Sequence, residues 1–257
     1  MNVVLVGYGR MGREVEKVLA ERGHKTVCRV DEKTPECRHE PNAAALTAEL
    51  LREADGVIEF ALAPGIPERI ALYAQAGLPA VIGTTGWEEH AEAARLLYKE
   101  SDGAALLRGS NFSVGAHLFF RMCAAAARLV NTLPEYDAAL REHHHSRKAD
   151  FPSGTALTAA RAVLAEMDRK TAVVSSLPEG PIPPEALQVA SLRVGAVPGV
   201  HELILDSPAD FLTVKHEARG RGGFALGAVR GLEWLSSRHG WFEAETFMDH
   251  LFQEGEK

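Results

Sequence analysis

Asn2-Val3-Val4-Leu5-Val6-Gly7-Tyr8-Gly9-Arg10-Met11-Gly12 runs an apolar strand straight into Gly-x-Gly-x-x-Gly. Met11, Val15, Val18 and Leu19 follow at helical spacing, and a second apolar run, Thr26 to Val30, completes a strand–helix–strand unit. At that junction the glycines permit a tight turn and close approach of backbone to a pyrophosphate, and the helix start offers unpaired N–H groups. Asp31, 19 residues after Gly12, ends the second run, where a carboxylate can accept hydrogen bonds from an adenosine ribose. A solvated acid at a strand end is the competing reading of Asp31. Gly7, Tyr8, Gly9, Arg10, Met11, Gly12 and Asp31 are thus the expected dinucleotide contacts. The Asp31 carboxylate disfavours a 2′-phosphate, whereas Arg10 and Lys33 could offset that repulsion, so NADH and NADPH both stay open.

Outward from this unit the alternation continues. Gly56 to Phe60, a helix after Pro64, Pro79 to Ile82, a helix from Trp87 to about Glu100, and Ala104 to Leu107 predict a Rossmann-type, doubly wound parallel α/β sheet with helices on both faces. Gly83-Thr84-Thr85-Gly86, after the fourth strand, is either a wall for a nicotinamide or an ordinary strand-to-helix turn. Phe60 with Ala63-Pro64 reads either as a cofactor-side loop or as a plain helix start.

From about Asn111 the pattern changes to a long Ala-rich helix, Val114 to Val130, and then to strands separated by loops. Tyr136 to Glu142, Leu187 to Val194, His201 to Asp206 and Phe211 to Glu217 predict a second, α+β domain with a mixed or antiparallel sheet and a helix from Gly154 to about Met167. Pro178, Pro181, Pro183 and Pro184 make Leu177 to Leu187 a loop. A final helix is expected from Phe224 to about Ser237.

Composition narrows the function. A 257-residue chain that is 46% hydrophobic can bury a sizeable core, and a net charge of −7 gives no general attraction to nucleic acid or anionic lipid. No apolar run approaches the roughly 20 residues of a membrane span. Cys28, Cys37 and Cys123 are far apart, and the chain enters its first strand without a secretory leader, so a reducing cytoplasm is expected.

The chemistry is concentrated in Glu142-His143-His144-His145-Ser146-Arg147-Lys148-Ala149-Asp150-Phe151-Pro152-Ser153-Gly154-Thr155-Ala156. Histidine titrates near neutrality and can deliver a proton beside the fixed cations, while Ser153-Gly154-Thr155, at a helix start, can receive an anionic group. A hydrated basic loop, a simple helix cap and a metal site compete with this reading. The absence of HExxH or Cys-rich partners leads us to expect no metal.

Read as Glu-x-His-His-x-x-Lys-x-Asp-x-Pro-Ser-Gly-Thr-Ala, this run resembles the signature of the dihydrodipicolinate reductase family. Gly9 to Gly12, Gly83 to Gly86, Ser-Asn-Phe-Ser-Val-Gly at Ser110 to Gly115, Arg193 to His201, and His216 to Ala228 resemble that family in order along nearly the whole chain. The resemblance implies hydride transfer from NADH or NADPH to a cyclic unsaturated dicarboxylate, bound as the hydroxylated or the dehydrated ring. It implies His144 as general acid, Lys148 as assisting cation, and His145, Lys148, Ser153, Gly154 and Thr155 on the substrate carboxylates. Phe60, Gly83, Thr84, Thr85, Ser110, Asn111 and Phe112 would line the cofactor. Residues 1–110 and 220–257 would form the dinucleotide-binding domain, and 111–219 the substrate and oligomerisation domain of a homotetramer. Two departures stand out: the glycine loop is one residue shorter than the family's Gly-x-x-Gly-Arg-Met-Gly, and Gly109-Ser110 replaces Ala-Pro before Asn111. His143 receives no role. The rival readings are another two-domain nicotinamide oxidoreductase and a non-catalytic nicotinamide sensor.

Overall fold

The computed structural model describes residues 1–31, 46–101, 103–176 and 179–253; Lys33, Cys37, Leu177 and Pro178 lie outside them. The chain divides into two units, Met1–Val114 with everything from Arg221 onward, and Gly115–Gly220.

In the first unit, β1 (Asn2–Val6), α1 (Arg10–Glu21), β2 (Lys25–Val30), α2 (Ala48–Arg52), β3 (Gly56–Glu59), α3 (Ile66–Gln75), β4 (Ala80–Ile82), α4 (Ala91–Glu100) and β5 (Ala105–Arg108) alternate, all but the short α2 as the periodicity predicts. The six strands are parallel, in the order β11-β5-β4-β3-β1-β2, where β11 is Gly240–Glu243 near the end of the chain. Successive strand side chains face opposite ways, so Val4 and Val6 join a core with Ile66, Ile70, Tyr73 and Tyr98, while Val3 and Leu5 join Val15, Leu19, Val229 and Leu232. Helices therefore cover both faces. The strand order reverses at β1, with β2 on one side and β3 to β5 on the other. The switch point thus lies between β1 and β3, and open α/β sheets bind ligands beyond the carboxyl ends of the strands at such a point.

The second unit is built on α5 (Val114–Asn131), β6 (Asp137–His144), α6 (Gly154–Leu164), β7 (Ala172–Val174), β8 (Ala186–Arg193), β9 (Val200–Asp206) and β10 (Phe211–Glu217). Its sheet, β10-β9-β6-β8-β7, is mixed: β9 is antiparallel to both β10 and β6, whereas β8 is parallel to β6 and β7. Both helices of the unit pack on one face, joining Phe119, Cys123, Ala159 and Val163 to Leu140, Leu187, Val189, Leu203 and Leu205. The chain then returns to the first unit with α7 (Gly222–Leu235), β11 and α8 (Ala244–Gln253).

The differences from expectation have local causes. Trp87 does not open α4: it is buried and donates from Nε1 to Thr84 O at 2.8 Å, and a 3-10 turn, Glu88–His90, separates it from the helix. The strand expected to end at Glu142 continues to His144, because β8 and β9 pair with β6 beyond that point. The helix after Ser153 stops at Leu164, short of Met167, and α7 spans Gly222–Leu235 rather than Phe224 to Ser237. No helix among the described residues is long and apolar enough to cross a membrane.

Candidate active site

The strand β6 alternates strictly: Ala138, Leu140, Glu142 and His144 are buried, while Asp137 and Arg141 are exposed. The first two buried positions belong to the apolar core and the next two do not, so the core-facing side of the strand becomes polar at its carboxyl end. Such a change must be compensated, since an unpaired buried charge costs several kcal/mol. Glu142 is fully buried and fully paired. One carboxylate oxygen, Oε2, meets His144 Nδ1; the other, Oε1, accepts from the Ser153 N–H at 3.1 Å and from Arg193 Nη2 at 2.8 Å. Burial alone would raise the Glu142 pKa, but the hydrogen bonds from His144, Arg193 and the Ser153 N–H outweigh it and hold the carboxyl well below the usual range.

Strand register places two more histidines in the same row. Glu142 lies opposite His201 of β9, and His201 lies opposite His216 of β10. The His201 ring packs edge-on to His144 at 5.1 Å between centroids and stacks on His216 at 6.1 Å. Burial and the nearby His144 push the His201 pKa down to about 3, so this ring is neutral near pH 7; burial lowers His216 as well. Ser153 caps α6 by accepting the Ala156 N–H at 3.2 Å, and its hydroxyl lies 3.3 Å from His201 Nε2. Gly154 is exposed and Thr155 half-buried at the first turn of that helix. Lys148 pairs with Asp150 at 2.8 Å, and its backbone N–H closes a turn onto His145 O. The fold thus gathers His144, Ser153 and three unassigned residues, Glu142, Arg193 and His201, around one carboxylate. Donor atoms of Glu142, His144 and His201 lie within 4.8 Å of one another, a spacing a metal ion could use, but the Arg193 guanidinium already occupies Glu142 and opposes a second cation. Cys123 offers no nucleophile, because burial pushes its thiol up to about 12.

In the first unit, Gly7 has φ +86°, and any Cβ there or at Gly12 would strike backbone: that of Phe60 and Ala61 for Gly7, the Gly7 carbonyl for Gly12. The cradle is built for glycine. Gly9 and Arg10 are exposed and Met11 half-buried at the open N-terminus of α1, whose first turn carries no acidic side chain. Asp31 Oδ2 accepts the Tyr8 N–H at 2.8 Å, tying the second strand's acid to the glycine loop. The extra bulk of Tyr8 folds inward: its hydroxyl bonds Glu16, and the guanidiniums of Arg13 and Arg29 lie 4.7 and 5.3 Å from its ring centre. Gly83 sits against the Phe60 ring, which meets Phe112 edge-on at 6.3 Å. Thr84 donates to Ala61 O at 3.1 Å, and Asn111 Oδ1 accepts the Ser113 N–H at 2.8 Å. Thr84, Thr85 and Ser110 share a cavity of about 140 Å³ with Arg108 and Glu243.

Glu142, Arg193, His201 and His216 were visible in the sequence only as motif letters. Reading β9 by its alternation supplies the missing signal, since His201 shares a face with Leu203 and Leu205, and a histidine on a core face needs a partner.

Comparison with known proteins identifies relatives over nearly the whole chain. Residues 1–112 match the family model for the dihydrodipicolinate reductase N-terminus, and 115–248 match that for the C-terminus. A 4-hydroxy-tetrahydrodipicolinate reductase of Christiangramia forsetii is 33% identical over 254 residues, covering 98% of this chain and all of that one. One from Natronomonas pharaonis is 38% identical over 253 residues, covering 95% and 99%. A dipicolinate-bound dihydrodipicolinate reductase from a Paenisporosarcina species superposes with a TM-score of 0.73 at 19% identity, over 95% of this chain and 97% of that one. An engineered D-amino acid dehydrogenase bound to NADP+ reaches 0.52 at 18% identity, covering 95% and 93%.

Proposed function

The chain belongs to the dihydrodipicolinate reductase family, and from that premise we propose that it reduces 4-hydroxy-tetrahydrodipicolinate, or its dehydrated form, to tetrahydrodipicolinate in lysine and diaminopimelate biosynthesis. A reduced nicotinamide, NADH or NADPH, supplies the hydride. The Gly7 and Gly12 cradle and the open start of α1 fit its pyrophosphate. Asp31 and Tyr8 set the ribose end, Phe60, Gly83, Thr84 and Thr85 the middle, and Ser110, Asn111 and Phe112 the nicotinamide end. The unit Gly115–Gly220 takes the dicarboxylate. Its carboxylates go to His145, Lys148, Ser153, Gly154 and Thr155. The hydroxylated ring first loses its hydroxyl as water, hydride addition to the resulting conjugated ring leaves an electron pair on the enamine system, and His144 donates the proton that forms the last C–H bond.

The observation that carries this assignment is the double use of Glu142. One oxygen holds the proton donor and the other holds the N–H of the anion-receiving turn, so acid and anchor share one support. We further propose a cytoplasmic homotetramer joined through the face of the second sheet that its own helices leave uncovered.

The test is oxidation of NADH and, separately, of NADPH by the purified protein, with substrate generated in place by the synthase that condenses pyruvate with aspartate semialdehyde. Synthase-dependent loss of reduced-nicotinamide absorbance is expected, and the ratio of the two kcat/KM values gives the cofactor preference. Nucleotide binding without oxidation would instead favour a sensor.

A further inference from the structure

We propose that Glu142 is a positioning residue for this reduction: its buried carboxylate locks the His144 imidazole with Nδ1 inward, leaving Nε2 as the nitrogen that hands over the proton. The inference rests on His144 acting as the acid, and it concerns which atom of that ring reacts.

A neutral imidazole carries its hydrogen on either nitrogen, and the choice follows the partner of the other nitrogen. Here Glu142 Oε2 faces Nδ1, so that nitrogen keeps its hydrogen whether the ring is neutral or charged. Only Nε2 then gains and loses a proton. Glu142 is itself held ionised from its far side by Arg193 Nη2 and the Ser153 N–H, at 2.8 and 3.1 Å.

The surroundings keep Nε2 usable. A Cβ on residue 199 would stand 3.0 Å from Nε2, and the chain has glycine there. The other titratable and charged groups of this cluster are His145, Lys148 and Asp150 on the loop after β6, Arg193 on β8, His201 on β9 and His216 on β10. Asp150 is engaged by Lys148, and its side chain is 57% exposed, so among these groups Glu142 alone presents an anion to Nδ1.

A merely structural ion pair and a positioning residue predict different results for Glu142→Gln. The carboxamide can keep its oxygen on Arg193 and the Ser153 N–H only by turning its NH2 toward Nδ1, which moves the neutral-ring hydrogen to Nε2. In full-length E142Q, kcat should fall roughly 100-fold with a much smaller change in KM for the dicarboxylate. In the wild type, ring-nitrogen shifts of 15N-labelled His144 above its titration should show hydrogen on Nδ1. Wild-type kcat in E142Q would overturn the assignment, as would hydrogen on Nε2 in the wild-type ring. The tautomer measurement decides alone if E142Q does not fold. It also stands apart from the reductase assay: no turnover by wild type would defeat the proposed reaction, whereas the ring-nitrogen shifts report on the Glu142–His144 pair in either case.

Discussion

His201 shows what a buried titratable side chain costs when it serves a site. Its pKa is about 3 in the folded protein, against about 6.5 in an unfolded chain, because burial and the nearby His144 disfavour its charge. The unfolded chain therefore binds this proton first as pH falls. Stability from this group is complete above about pH 6.5 and is lost progressively down to about pH 3, with roughly 2 kcal/mol gone by about pH 5. Glu142, whose pKa is also lowered, works in the same direction in more acidic solution. The urea midpoint of the wild type should drop between about pH 7 and pH 5, and His201→Asn should flatten that drop. An equal drop in the variant would mean that other groups carry the linkage. The sequence made His144, Lys148 and the Ser153 turn legible because they sit within one run. It could not assign His201 or His216, since their place beside Glu142 depends on strand register, which residue spacing along the chain does not encode.

Among the elements, the loop joining β3 to α3 is held by a buried charge set that no motif announces. Arg69 donates to Glu59 Oε1 at 2.7 and 3.0 Å, to Pro64 O at 2.7 Å and to Leu62 O at 2.9 Å, while the Tyr73 hydroxyl donates to Glu59 Oε2 at 2.6 Å. Glu59 ends β3 at the carboxyl edge of the sheet, so this clamp sets the path of the backbone past Phe60 and Ala61. Arg69→Met should destabilise the protein by roughly 3–5 kcal/mol, because it leaves a buried carboxylate without its cation. It should also weaken NADH binding measured by titration. Unchanged nucleotide affinity in a folded variant would show that the clamp supports only the core. The parallel strands were legible from their apolar runs, but α2, β7, β11 and α8 were not anticipated. The strand β7 is only Ala172–Val174 and largely exposed, and Trp241 and Phe242 of β11 are half-buried, so pairing at a sheet edge rather than burial defines both.

At the scale of the whole molecule, the proposed tetramer would form through the face of the second sheet that its helices leave uncovered. Both helices of that unit lie on the face carrying Leu140, Leu203 and Leu205, and by strand alternation Ala139, Arg141, Ala190, Leu192, Glu202 and Ile204 lie on the other. Arg141 pairs there with Glu202, and Lys215 with Glu217 at 2.8 Å, so these four charges offset one another around Ala139, Ala190 and Ile204. Two such faces can stack at the roughly 10 Å separation of packed sheets, which suits a second copy of the same surface. Ile204 is half-buried near the middle of this face. In Ile204→Arg, a guanidinium would meet its own symmetry mate or an apolar patch, and either costs more than an interface of this kind gains at one residue. Sedimentation should show the wild type as a tetramer and the variant at lower mass, with circular dichroism unchanged. A variant that keeps the wild-type mass would place the interface on another surface, and the ion pairs of Arg141 and Lys215 would then be features of a solvated sheet face.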